Sequence, residues 1–134
     1  MRLLLDTHIL IWYLTEDARL SSTAMNLIDD PANEVFFSPI SVWEIMLKHA
    51  AHPDNVSFTG KQFADLCIAS GIAELNLNHK HVLAAERLQR DPLAKPHKDP
   101  FDRILLAQAK VEDMRFVSHD AMLPGYNEPC LLGV

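Results

Sequence analysis

Arg2-Leu3-Leu4-Leu5-Asp6-Thr7-His8, at the start of the chain, decides the fold, and Arg115-Phe116-Val117-Ser118-His119-Asp120, near its end, echoes it. Each is a short apolar run cut off by an acid. A continuous apolar run of this length suits a strand buried on both faces, which points to a parallel sheet covered by helices. A carboxylate just past such a strand lies at the carboxyl edge of the sheet, where ligands of α/β proteins gather. Asp6 is the sharper signal, because a charge placed directly after a buried strand is costly unless it is paired or used.

Working outward, Asp6-Thr7 opens a helix through Leu14, and Ser21 or Ser22 caps another that ends at Asp29-Asp30-Pro31. Val35-Phe36-Phe37 reads as a second strand. Ser38-Pro39 then starts a helix by the cap-then-proline rule, with Ile40, Trp43 and Leu47 forming its apolar stripe. The spacing predicts a loop from His49 to Ser57, which carries Pro53, Asp54 and Asn55. Thr59 with Gln62 makes a capping box, Phe58 staples onto Phe63, and the helix runs to about Ser70 with Gly71 as its stop. A third strand is expected over Ile72 to Leu77, then a helix from Asn78 to about Arg90, broken by Asp91-Pro92. Asp99-Pro100 restarts helix, with Ile104, Leu105 and Ala109 inward. Arg115 to Ser118 is the next strand and Cys130-Leu131-Leu132 a last short one. This alternation predicts one compact α/β domain over residues 1–134, with a mainly parallel sheet and right-handed crossovers.

Composition narrows the function classes. The chain has 134 residues, 49% of them hydrophobic and 22% charged, within the globular range. Its apolar runs are too short to span a bilayer or to form a signal-peptide core, so the expected setting is the cytoplasm. Cys67 and Cys130 are isolated, read as packing residues rather than a disulfide or thiolate site. A net charge of −6 argues against binding nucleic acid by a broadly basic surface. The stretch from His79 to Lys110 is an exception, with seven Lys and Arg against four Asp and Glu. It reads as a positive strip or as ordinary solvated helix faces.

Four acids far apart in sequence stand where segments change character: Asp6, Glu44, Asp102 and Asp120. Carboxylates brought within a few ångströms raise one another's pKa, and a divalent cation relieves that strain. With no His or Cys grouped at ligand spacing, the donor set favours Mg2+ or Mn2+ over zinc. Such an ion binds phosphate oxygens, makes a nucleophile of water and steadies the leaving oxygen. Asp99 is either a further ligand or the cap of the helix behind Pro100. Asp102 also suits a capping box or the helix dipole. Thr7, Ser41 and Ser118 are candidates to support the acids by hydrogen bonding, and His97, Lys98 and Arg103 to contact phosphate. His8, His119, Trp12, Tyr13 and Trp43 are open to substrate contact or to plain packing.

Taken together, Leu3-Leu4-Leu5-Asp6-Thr7-His8, Ser41-Val42-Trp43-Glu44-Ile45, His97-Lys98-Asp99-Pro100-Phe101-Asp102-Arg103 and Val117-Ser118-His119-Asp120 resemble the PIN-domain family, in particular VapC-like toxins of toxin–antitoxin pairs. The resemblance runs in order over nearly the whole chain. It implies a three-layer α/β/α domain and a Mg2+- or Mn2+-dependent endoribonuclease, commonly a homodimer, inhibited by a cognate antitoxin protein that enters the active-site groove. Carried over position by position, it implies catalytic and metal-binding roles for Asp6, Glu44, Asp102 and Asp120. Asp99 is a further ligand, a supporting partner or a cap. The sequence departs from the pattern at Met122-Leu123, where an aromatic usually follows the last acid.

Two rival readings remain at this level. A non-catalytic module of the same shape would use its acids only as helix caps and bind an antitoxin-like peptide or RNA. A phosphatase with Asp6 as nucleophile is disfavoured, since no acid stands two residues later and no glycine-rich phosphate loop follows.

Overall fold

A computed structural model describes residues 1–134. In chain order the elements are β1 (Arg2–Leu5), α1 (Thr7–Leu14), α2 (Ser22–Asp29), β2 (Glu34–Phe37), α3 (Pro39–Ala51), α4 (Gly60–Ala69), β3 (Ala73–Glu74), α5 (His79–Arg87), α6 (Pro100–Val111), β4 (Arg115–Ser118), a 3-10 turn (Leu123–Tyr126) and β5 (Leu131–Gly133). The five strands form one sheet in the order β3-β2-β1-β4-β5, and every neighbouring pair is parallel. Leu4 of β1 faces Phe36 on one side and Phe116 on the other.

Alternation along β1 divides the core. Leu3 and Leu5 join Ile9, Leu10, Ala24, Ile28, Ile45, Phe63 and Cys67 on one face, while Leu4 joins Ile40, Ala84, Leu105, Leu106, Ala109 and Phe116 on the other. The sheet is thus the middle of three layers, with α1, α2 and α4 on one side, α5 and α6 on the other, and α3 contributing to both. The expected α/β/α architecture is borne out. Because β2 and β3 extend from β1 in one direction and β4 and β5 in the other, the strand order reverses at the β1/β4 pair. A crevice outside their carboxyl ends follows from that topology. No helix is long and apolar enough to cross a membrane.

Local chemistry explains most boundaries. Ser21, Ser38, Thr59, Asn78 and Asp99 all accept backbone N–H bonds as N-caps, the Thr59–Gln62 box closes in both directions, and Phe58 meets Phe63. Gly71 ends its helix segment at φ +80, a conformation that L side chains rarely adopt.

Four expectations need correction. Helix α3 runs on to Ala51, consuming part of the expected His49–Ser57 loop. Ala50 and Ala51 favour helix, and Pro53 restricts only the residue before it. The stripe Ile40-Trp43-Leu47 is not the buried one: Ile40 is inside, but Trp43 is 49% exposed and Leu47 lies out with it. The packed face is Ile40, Ser41, Glu44 and Ile45, so the helix turns two polar residues inward. The third strand shrinks to Ala73–Glu74, since Ile72 N–H is taken by the Cys67 carbonyl at the end of α4. Helix α5 stops at Arg87, three residues early, because buried Leu88 turns the chain away and Arg90 is drawn to other partners.

Candidate functional site

The cleft at the carboxyl edge of β1 and β4 has a volume of about 280 Å³ and is lined by Asp6, His8, Trp12, Asp99, Asp102, His119 and Asp120. Larger clefts exist on the surface, among them one of about 430 Å³ beside Tyr13 and Met25, so chemistry rather than size distinguishes this one.

Asp6 occupies the N-cap position of α1 yet its carboxylate accepts no cap bond from that helix. It is held instead by the Ser118 hydroxyl, which donates to Oδ2 at 2.5 Å, while Oδ1 is buried with no partner. At 2% exposure this acid is stripped of water, and burial raises its pKa despite the Ser118 bond. Ser118 also accepts the Asp120 N–H at 3.1 Å, so one hydroxyl ties the ends of β1 and β4 together.

Asp102 sits in the first turn of α6 and is 6% exposed. Burial first, then the charges of Asp6, Asp120 and Asp99, push its pKa up to about 10. Asp120 faces it from the β4 loop and is lowered. Burial opposes that direction, but Asp102 as a hydrogen-bond partner, the Met122 N–H and the nearby His97 and His8 outweigh it. Two acids this close in a desolvated site oppose each other's ionisation, so the pair resists carrying two negative charges.

Glu44 is buried behind the cleft rather than lining it, 1% exposed, with Oε1 unpartnered and Oε2 receiving a bond from Lys48 Nζ at 2.5 Å. Its charge is one of those that raise Asp6. Lys48 lies one helical turn beyond Glu44; burial lowers its pKa, but the bond to Glu44 and that charge, with lesser help from Asp99 and Asp102, raise it on balance. Thr7 donates to Ser41 at 2.8 Å in the interior, fixing the start of α1 against α3 and so Asp6 relative to Glu44.

The remaining candidates divide. Asp99 is a helix cap through Oδ1, which accepts the Phe101 and Asp102 N–H groups at 2.9 and 3.2 Å; it still lines the cleft. Arg103 turns its guanidinium to the Ala85 carbonyl at 2.7 Å and to the ring of Tyr126, so it braces α6 against its neighbours. Lys98 is exposed beside the site. His97 is drawn in: its side chain is 4% exposed and Nε2 lies 3.6 Å from Asp102 Oδ2 and 3.7 Å from Asp120 Oδ2. The premise that no histidine groups with the acids is therefore wrong for His97, which the fold carries to them from a loop no spacing rule covers.

Sequence reasoning missed Lys48 and Tyr126. Lys48 was legible as the i,i+4 partner of Glu44 on one helix face. Tyr126, whose hydroxyl pairs with His97 Nδ1 at 2.6 Å, gave no local signal, because the two are brought together by loop packing alone. Trp12 lies with its ring 6.0 Å from His8 and 5.7 Å from His119, so three rings edge the acidic cleft.

A family model described as PIN domain matches residues 3–128. Among solved structures, the chain is similar to VapBC2 from Rickettsia felis bound to a DNA fragment from their promoter, with a TM-score of 0.65 and 14% identity over 100% of this chain and 98% of that one. It is also similar to a toxin–antitoxin complex from Klebsiella pneumoniae, with a TM-score of 0.60 and 20% identity over 96% of this chain and 94% of that one. No curated protein matches the sequence. Identities this low speak for a common fold.

Proposed function

The chain belongs to the PIN-domain family, and from that premise we propose that it is a divalent-metal-dependent endoribonuclease acting in the cytoplasm as the toxin of a toxin–antitoxin pair. The observation that carries this reading is a set of buried acids left incomplete. Asp6 Oδ1 and Glu44 Oε1 have no partner, and burial beside Asp6, Asp120 and Asp99 pushes the Asp102 pKa well up. Buried carboxylate oxygens without partners cost several kcal/mol in order-of-magnitude terms, and a fold retains them where a cation completes them.

The donor set fits Mg2+ or Mn2+, with Asp6, Asp102 and Asp120 as the holding carboxylates and Glu44 and Asp99 as further ones. When bound, such an ion supplies a water of lowered pKa and neutralises charge on the phosphoryl oxygens. The rest is done by the chain. Ser118 fixes the rotamer of Asp6, the Thr7–Ser41 bond holds α1 against α3, and Lys48 orients Glu44. Asp120 and Asp102 face each other across the site, and a bound cation would favour the ionised form of both. Trp12, His8 and His119 offer ring faces at the rim, suited to unstacked bases of single-stranded or loop RNA. Attack by water on phosphorus with the P–O3′ bond breaking, O3′ leaving as the hydroxyl, would give a 5′-phosphate and a 3′-hydroxyl.

The two solved relatives are complexes that include a partner, and this chain offers features that suit one. Trp43, Met46 and Leu47 expose an apolar face on α3, and the acidic cleft favours a basic segment. An antitoxin and a second copy of the chain, forming a homodimer, are the proposed partners. We assign the nuclease role to residues 1–134 as one domain.

The direct test is cleavage of structured RNAs by the wild type and Asp102→Asn, with and without EDTA. Cutting that disappears with EDTA and with the substitution supports the proposal. Equal behaviour in all four conditions removes it and leaves the binding-module alternative.

A further inference from the structure

Resting on the reading of this cleft as a cation site, we propose that His97 is itself a ligand, so that Nε2 joins Asp102 and Asp120 in a mixed imidazole–carboxylate centre that prefers Mn2+ to Mg2+. Three observations carry it. First, Nε2 is buried and has no hydrogen-bond partner, although two carboxylates face it. Its separations of 3.6 and 3.7 Å exceed an N–H···O bond, which closes to about 2.7–3.2 Å. They match instead the spacing of atoms around one ion: bonds of roughly 2.0–2.2 Å put neighbouring donors about 3–4 Å apart. The three donor atoms all lie within 4.8 Å of one another.

Second, the ring is fixed from behind. Nδ1 pairs with the Tyr126 hydroxyl at 2.6 Å, and the two rings meet edge to face at 5.4 Å. Ligating histidines are held in this way through the nitrogen that does not bind the ion. In the tautomer that binds a cation, Nδ1–H donates to the Tyr126 oxygen and the Nε2 lone pair faces Asp102 and Asp120.

Third, the loop that carries His97 is tied down. Arg90 stacks over Tyr126 at 4.6 Å, donates to the Lys95 carbonyl at 2.8 Å and to the Met122 carbonyl at 2.9 Å. Asp91 N–H donates to the Gly125 carbonyl at 2.7 Å. A side chain at Gly125 would meet the Arg90 guanidinium at 2.5 Å, so the clamp requires glycine there. Such bracing suits a ligand more than a rim contact. A nitrogen donor then shifts preference from a hard oxygen-loving ion toward a transition ion.

The test is Mn2+ binding to the whole chain, followed by loss of the free-ion EPR signal, with Mg2+ competition and pulsed EPR for nitrogen coupling. The expected result is bound Mn2+ with imidazole nitrogen coupling that disappears in His97→Gln and survives in a His8→Gln/His119→Gln double variant. His97→Gln should weaken Mn2+ binding about 10- to 100-fold and Mg2+ binding much less, and Tyr126→Phe should weaken Mn2+ binding to a smaller degree. Mn2+ held without nitrogen coupling, or coupling that persists in His97→Gln, overturns the proposal while leaving the carboxylate centre and the nuclease reading intact. Failure to bind any divalent ion overturns both. If His97→Gln does not fold, the wild type and the His8→Gln/His119→Gln variant decide together: coupling kept in both assigns it to His97, and coupling absent from the wild type or lost in the double variant overturns the proposal.

Discussion

Two of the clefts that contain acids treat them differently. One, of about 350 Å³, lies at the amino end of β2 and includes Asp29, Asp30 and Glu34. All three are exposed, Asp29 Oδ1 receives the Tyr13 hydroxyl at 2.7 Å, and Asp30 Oδ1 receives the Ala32 N–H at 2.9 Å. The other, at the carboxyl end of β1 and β4, gathers Asp6, Asp102 and Asp120 with Glu44 behind them, mostly buried and partly unpartnered. Acids in water or in turns cost the fold nothing. Acids gathered where water is excluded lower stability until a cation arrives. The contrast shows that burial and missing partners, more than the number of carboxylates, mark a candidate site.

The largest separation between the clefts should appear in catalysis. Asp6→Asn or Asp102→Asn is expected to lower RNA cleavage by at least about 100-fold, while Asp29→Asn should leave it within twofold. Steady cleavage rates on one RNA substrate check this. A loss in Asp29→Asn as large as in Asp6→Asn would erase the distinction.

Stability without added metal should differ next. Asp102 has a folded pKa of about 10 against an ordinary value of 3.8, so the folded chain keeps a proton that the unfolded chain releases. Stability therefore falls as pH rises from about 4 toward 10, by at most roughly 1.4 kcal/mol per pH unit from this group. Asp6, also raised, acts in the same direction. Asp120, lowered, contributes stability that is complete above its unfolded value and lost only in acid, so it does not oppose the trend near neutrality. Melting temperature measured in EDTA should fall between pH 5 and pH 8. Excess Mn2+ should reverse the fall and Asp102→Asn should make it shallower, leaving the share that Asp6 contributes. A melting temperature that climbs over this range in EDTA would contradict the buried-acid account.

Lys48 gives a smaller effect because it is partly exposed, and its bond to Glu44 is screened on one side. Lys48→Met leaves Glu44 buried without its cation and should cost about 1–2 kcal/mol in EDTA. A divalent ion should recover part of that loss, as judged by urea unfolding. An equal loss with and without Mn2+ would place Glu44 outside the cation's reach.

How much of this was legible in the sequence follows the range of the forces involved. Caps such as Ser38, Thr59 and Asp99 act over three residues, and the apolar runs at Leu3–Leu5 and Phe116–Val117 are continuous, so strands and helix starts could be read directly. Asp6 and Asp120 followed, because a strand end places the one or two residues after it. The inward face of α3 did not follow from hydropathy. Ser41 and Glu44 are buried because the Thr7–Ser41 bond and the acidic site require them inside, which leaves Trp43 and Leu47 exposed. His97 reads in the sequence only as a candidate phosphate contact beside the acids, since its burial depends on Arg90, Gly125 and Tyr126, which carry no shared pattern with it.

The smallest expected effect lies in the other cleft and is the control for the whole contrast. The Tyr13 hydroxyl donates to Asp29 at the surface, and that bond, with lesser help from burial and from the Asp29 charge, raises the Tyr13 pKa. An exposed hydrogen bond competes with water on both sides, so Tyr13→Phe should change stability by less than about 1 kcal/mol. The phenol titrates far above neutrality, so the change should be the same at pH 5 and pH 8. With no buried unpartnered oxygen beside it, the change should also be the same in EDTA and in Mn2+. Urea unfolding under those conditions, with the cleavage assay alongside, measures each point. If Tyr13→Phe altered the response to Mn2+, the two clefts would be energetically coupled through α1, which carries Tyr13 at one end and follows Asp6 at the other. Acidity at a distance, rather than burial at the strand ends, would then be governing the site.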